Sequence, residues 1–179
     1  MTIKQGQAWP QLEKELAFIK GKKAAMDEAV AYAMETEGKV NALRNHIQHV
    51  RFNTSYPLRI FQYTLHTWEP DYGDKDFIAG VQAGFDICEQ IFNAPDWQEK
   101  SFSHSSGAPS KIVHYLRMAL LDVDGYLYGL EECFEKKEDI EAIQIEIEGL
   151  GRLLRNRPND RLRNARLQAL KDGYDILTS

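Results

Sequence analysis

Residues 25–50 read AMDEAVAYAMETEGKVNALRNHIQHV, and this stretch decides the fold. Apolar side chains recur three and four apart, at Ala25, Met26, Ala29, Val30, Ala33 and Met34, then after Gly38 at Val40, Leu43, Ile47 and Val50. That spacing lays one apolar stripe along a helix of about 3.6 residues per turn. It predicts one long helix, or two stacked end to end, whose alanines let a neighbouring helix pack closely. Upstream, Trp9-Pro10 is read as the opening of the first helix, with proline at or near its first position. Leu12, Leu16 and Ile19 carry the stripe, and Gly21 within the lysine run 20–23 is where it is expected to break or bend.

Downstream, Phe52-Asn53-Thr54-Ser55-Tyr56-Pro57 ends the helix, because Pro57 disfavours helical geometry at Tyr56 and Asn, Thr and Ser prefer turns. Leu58 to Trp68 has a strand-like composition but helical spacing at Leu58, Phe61, Leu65 and Trp68, and it is read as a short helix. A loop at 69–74 follows, then a helix capped by Asp76 and running to about Asn93, in which Gly80 and Gly84 mark a close helix crossing. Residues 94–110 form the longest loop. Ser110 is read as capping a helix to about Glu135, apolar over a wide arc and central to the bundle. Asp139 caps a helix through Leu154, the run 157–160 is a turn, and the last helix spans about Asp160 to Leu177. The expectation is an all-α helical bundle of about five to six helices, a single domain over 1–179.

A chain of 179 residues can bury a real core, and 43% apolar with 27% charged residues is ordinary for a soluble protein. Cys88 and Cys133 lie within apolar helical patterns and read as small core hydrophobes in a reducing, cytoplasmic setting. No secretory h-region and no membrane-spanning run is visible. The net charge of −5 argues against indiscriminate nucleic-acid binding by the whole surface. The charge is uneven, however. Residues 122–148 hold ten acids against Lys136 and Lys137, and residues 152–171 hold seven bases against Asp160. Such asymmetry points either to a charged partner or to two solvated helix faces.

The residues that suggest chemistry are Arg44, Asn45 and His49. Arginine presents a planar fork that fits phosphate oxygens, histidine moves protons near neutral pH, and an amide can orient either. With ten Arg and five His in the chain, Arg-Asn-x3-His arises by chance about 0.01 times. The plain alternative is that Arg44, Asn45 and Gln48 are solvated helix residues and His49 a satisfied histidine near the helix end. His49 is expected in the last helical turn, where the macrodipole favours its protonated form. Arg44 and His49 are five residues apart, about 140° around the axis, so one helix cannot easily aim both at one phosphate. Two helices related by a twofold axis could, which predicts a homodimer if the site is real.

Arg44-Asn45-x3-His49 near a helix end, in a small helical chain, resembles the HEPN family. That resemblance implies a metal-independent endoribonuclease of a toxin–antitoxin or phage-defence system, with no cofactor. Arg44 and His49 would be catalytic and Asn45 orienting, in a cleft shared by two chains. His46 competes for the acid/base role. The alternative function is a non-catalytic helical interaction protein, such as an antitoxin, inhibitor or adaptor, acting through the acidic or the basic helical segment. A weaker idea is a metal site at His46 and His49 with Glu35 or Glu37. RNA, a second copy, and an antitoxin or other protein are therefore the expected partners, and a membrane is not.

Overall fold

The computed structural model describes residues 5–36, 40–53, 75–94 and 108–179. Of these residues 91% are helical, in six helices with no strand among them, so the protein is all-α. The helices are α1 Gln5–Glu35, α2 Val40–Asn53, α3 Lys75–Asn93, α4 Ala108–Glu135, α5 Ile140–Arg155 and α6 Arg161–Thr178. The chain clusters into two compact units, Gly21–Leu120 and Met1–Lys20 with Leu121–Ser179, and α1 and α4 give a segment to each. The short helix expected at 58–68, and most of the long loop before α4, lie outside the described residues.

In the first unit, Gly21 does not break α1. The helix runs through it to Glu35, and the glycine is buried where α3 crosses, against the backbone carbonyl of Phe77. Gly84 on α3 answers it, since a Cβ there would lie 2.6 Å from the carbonyl oxygen of Lys22 and 2.8 Å from Ala25 Cβ. The glycines thus mark a close crossing, as the spacing of Gly80 and Gly84 suggested. Phe85 and Phe92 of α3 are fully buried with Met26 of α1 and Leu43 and Ile47 of α2. Burial on this scale stabilises the unit by about 1.5–3 kcal/mol for each large side chain. The stretch at 25–50 is two helices, and they do not stack end to end. α2 folds back along α1, because His46 reaches Glu28 at 2.8 Å and stacks on Tyr32 with ring centroids 3.8 Å apart.

In the second unit, α6 packs on α4 through small residues. A Cβ on Gly129 would lie 2.6 Å from the Arg166 carbonyl oxygen and 2.7 Å from Ala169 Cβ, and Gly125 one turn earlier meets the carbonyl of Leu162. Leu130, Cys133, Ile143, Ala169 and Leu170 are buried to 0% exposure here with Leu12 of α1. Burial pushes the Cys133 thiol up to about 12, so it stays protonated and acts as a core hydrophobe, as expected from its setting. Cys88 is likewise a buried thiol.

α1 begins at Gln5, so Pro10 lies inside it and gives up one backbone bond instead of opening the helix. Asp76 falls in the first turn of α3 and Ser110 in the first turn of α4, so neither is the cap. Asp139 and Asp160 do cap α5 and α6, accepting from the amides of Ala142 and Arg163 at 3.0 and 3.1 Å. These two caps lie in short connections, where the apolar period stops and restarts within six residues.

The charge asymmetry is largely resolved inside this unit. Arg161 grips Asp122 through Nε and Nη2, and Arg163 pairs with its own cap, Asp160. Arg166 holds Glu132 at 2.7 Å and Glu146 at 3.5 Å, and Lys136 holds the same two carboxylates at 2.9 and 3.2 Å. Arg161, Arg163 and Arg166 are therefore not merely exposed helix residues. Arg161 and Arg166 join α6 to α4, and Arg166 reaches α5 through Glu146, while Arg163 stays on the cap of its own helix. Burial alone would raise the Glu132 pKa, but hydrogen bonds from Arg166 and Lys136 reverse this, and its carboxyl titrates below its ordinary range. Tyr126 donates to Asp172 at 2.6 Å, and burial with that contact keeps its phenol protonated.

Candidate functional site

α2 distributes its polar side chains over three directions. Leu43 and Ile47, one turn apart, are fully buried and fix the helix rotation. His46 lies about 60° to one side of Leu43, and Arg44 about 100° to the other. The His46 flank meets α1, where Glu28 takes the imidazole Nε2 and Tyr32 stacks on the ring. The Arg44 flank meets the end of α3, where Nη2 donates to Asn93 Oδ1 at 3.4 Å. Asn45 and His49, four apart and on one face, are exposed on the third side.

This placement separates the two histidines. His46 and Glu28 have side chains only 22% and 16% exposed, so their contact is largely shielded from water and ties α2 to α1. That makes His46 a packing residue between α2 and α1. His49 is presented outward with Asn45. Because α2 runs on to Asn53, His49 sits a full turn before the helix end, not in the last turn.

Arg44 meets a neutral amide, not a carboxylate, in its contact with Asn93. The contact is long and exposed, so the guanidinium is steadied without having its charge cancelled. A phosphate oxygen is a stronger acceptor than an amide oxygen and would compete well for it. Within one chain, Arg44 and His49 do not converge, since they lie on different sides of α2 by about 140°. Three residues that shape this region were not singled out from sequence. Glu28 and Tyr32 become neighbours of His46 only when α2 folds back, and Asn93 becomes a neighbour of Arg44 only when α3 packs alongside. Among the described residues, no three His, Cys, Asp or Glu side chains gather as metal ligands.

A second polar region lies on α5 and α6. Of the seven bases at 152–171, Arg152, Arg161, Arg163 and Arg166 face carboxylates, while Arg155, Arg157 and Lys171 show no ion pair among the described residues. No helix of the described residues is long and apolar enough to cross a membrane. No family model matches the chain, and neither does any curated protein or solved structure.

Proposed function

We propose that the protein is a metal-independent endoribonuclease of the HEPN type, acting as a homodimer in a toxin or defence system. The observation that supports this best is the division of α2. Its fold-bearing contacts use Leu43, Ile47 and His46, and the motif residues Asn45 and His49 are left on the solvent side with Arg44 at their flank. A twofold axis beside α2 would bring two copies of Arg44 and His49 into one cleft. In the reaction, the RNA 2′-oxygen bonds to phosphorus while the bond to the 5′-oxygen breaks. One His49 takes the 2′-hydroxyl proton, and the second, as imidazolium, gives a proton to the departing 5′-oxygen. The two Arg44 guanidiniums stabilise the crowded phosphorane charge, and Asn45 orients His49 from one turn away.

The test is cleavage of an RNA substrate by purified protein in EDTA. Products ending in 2′,3′-cyclic phosphate, lost in Arg44→Ala and in His49→Ala without change in helicity, support the reading. Cleavage that requires a divalent metal, or that persists in His49→Ala, contradicts it.

A further inference from the structure

A groove of about 470 Å³ runs between α5 and α6. Ile147 and Leu167 give it an apolar floor, and Gly151 leaves the backbone of α5 bare between them. A Cβ on Gly151 would meet nothing within 4 Å among the described residues, whereas Gly129 on α4 is crowded by the backbone of α6. Packing among the described residues therefore gives no reason for the bare position, although glycine costs a helix about 0.5–1 kcal/mol relative to alanine. The rim is cationic: Arg152, Arg155 and Lys171 stand against one carboxylate, Glu148. Glu148 lies 3.3 Å from Arg152, and both side chains are more than half exposed, so water weakens that pair. Arg155 and Lys171 have no ion pair among the described residues, on a chain whose net charge is −5.

We propose that this groove docks an acidic amphipathic helix of a protein partner. An aliphatic side chain of that helix fills the floor over Ile147 and Leu167. The bare backbone at Gly151 allows two helix axes to approach closely. Carboxylates flanking the apolar side chain reach Arg155 and Lys171 at the rim. A single-stranded nucleic acid fits this lining less well, because its sequence-tolerant binding relies on aromatic stacking and the groove offers no aromatic ring. The proposal uses α5 and α6 only and does not depend on chemistry at α2.

The experiment is fluorescence anisotropy on the full chain. The probe is a labelled peptide of about eighteen residues, long enough for five helical turns, with leucine on one face and alternating alanine and glutamate on the other. A peptide of the same composition with its leucines scattered serves as control, and oligouridine serves as competitor. The expected result is saturable binding of the amphipathic peptide, weakened about ten-fold or more by the control sequence and by the pair Arg155→Glu and Lys171→Glu. Gly151→Leu, which fills the groove from an open position, should abolish binding, with circular dichroism unchanged in every variant. Equal binding of the scattered peptide, or full binding by Gly151→Leu, overturns the proposal. Displacement of the peptide by oligouridine at lower concentration also overturns it and reassigns the groove to nucleic acid.

Discussion

The polar residues of α2 and those of α4–α6 were equally conspicuous as sequence, but the fold treats them differently. Along α4–α6, the run of bases and the run of acids turn toward each other. Arg161 meets Asp122, and Arg166 meets Glu132 and Glu146, so most of the apparent basic patch is neutralised within its own unit. On α2 the same process claims His46 through Glu28 but leaves Arg44 on a neutral amide and Asn45 and His49 at the surface. A charged group facing a carboxylate is holding the fold together. A titratable group at an exposed position, such as His49, is where a ligand can compete.

The strongest way to break this contrast is to separate α6 from α4. Gly129→Leu would drive a side chain into the Arg166 carbonyl, 2.6 Å from the new Cβ, and into Ala169. We expect a loss of about 3 kcal/mol or more in denaturant unfolding, since backbone cannot retreat as a flexible side chain can. A loss below about 0.5 kcal/mol would mean that the crossing is looser than described. Less drastic is Arg166→Met, which leaves Glu132 at 13% exposure with only Lys136 to balance it. This should cost about 1–3 kcal/mol, against at most about 0.5 kcal/mol for Arg155→Met, whose side chain meets no carboxylate among the described residues.

Acidification sharpens the same point. The Glu132 pKa is lowered in the folded state, with burial opposing and Arg166 and Lys136 prevailing. A depressed carboxylate stabilises the fold above its unfolded pKa, and that stability is lost as the pH falls through the folded value. Stability should therefore decline on going down from the ordinary glutamate range near 4.5, and Glu132→Gln should flatten that part of the profile. A variant profile as steep as the wild type would assign the acid sensitivity elsewhere. The smallest effect is a gain. Gly151→Ala on α5 meets no neighbour among the described residues and should raise stability by about 0.4–1 kcal/mol, measurable as a higher melting temperature.

Much of this architecture was legible in the chain. The three-and-four spacing from Leu12 to Ile47 gives helices with Leu12, Leu43 and Ile47 fully buried. Asp139 was readable as a cap because it stands in a short break of the apolar period, and Asp160, read as the end of the turn at 157–160, proves to be the cap of α6. Asp76 and Ser110 misled because a residue suited to a helix start is tolerated in the first turn, where amides lack intrahelical partners anyway, whereas Pro10, the sixth residue of α1, is held inside the helix at the loss of one backbone bond. The return of α2 along α1 was not readable, since apolar spacing fixes which face is buried and not the direction in which the next helix runs. For the same reason Glu28, eighteen residues before His46, was invisible as its partner. Segment charge does not show pairing, because it counts residues along the chain while ion pairs form across helices.

We propose that α2 gives His46 to the fold and His49 to chemistry. The direct measurement compares His46→Ala and His49→Ala in one pair of assays, RNA cleavage in EDTA and thermal unfolding. We expect His49→Ala to slow cleavage by about 10²–10⁴-fold and to change the melting temperature less than His46→Ala does. His46→Ala strips Glu28 of its partner and Tyr32 of its stacked ring, and it should lose about 1–2 kcal/mol of stability while cleaving within about ten-fold of the wild-type rate. The reverse pattern, with cleavage abolished by His46→Ala in a fully stable protein and retained by His49→Ala, would contradict the assignment.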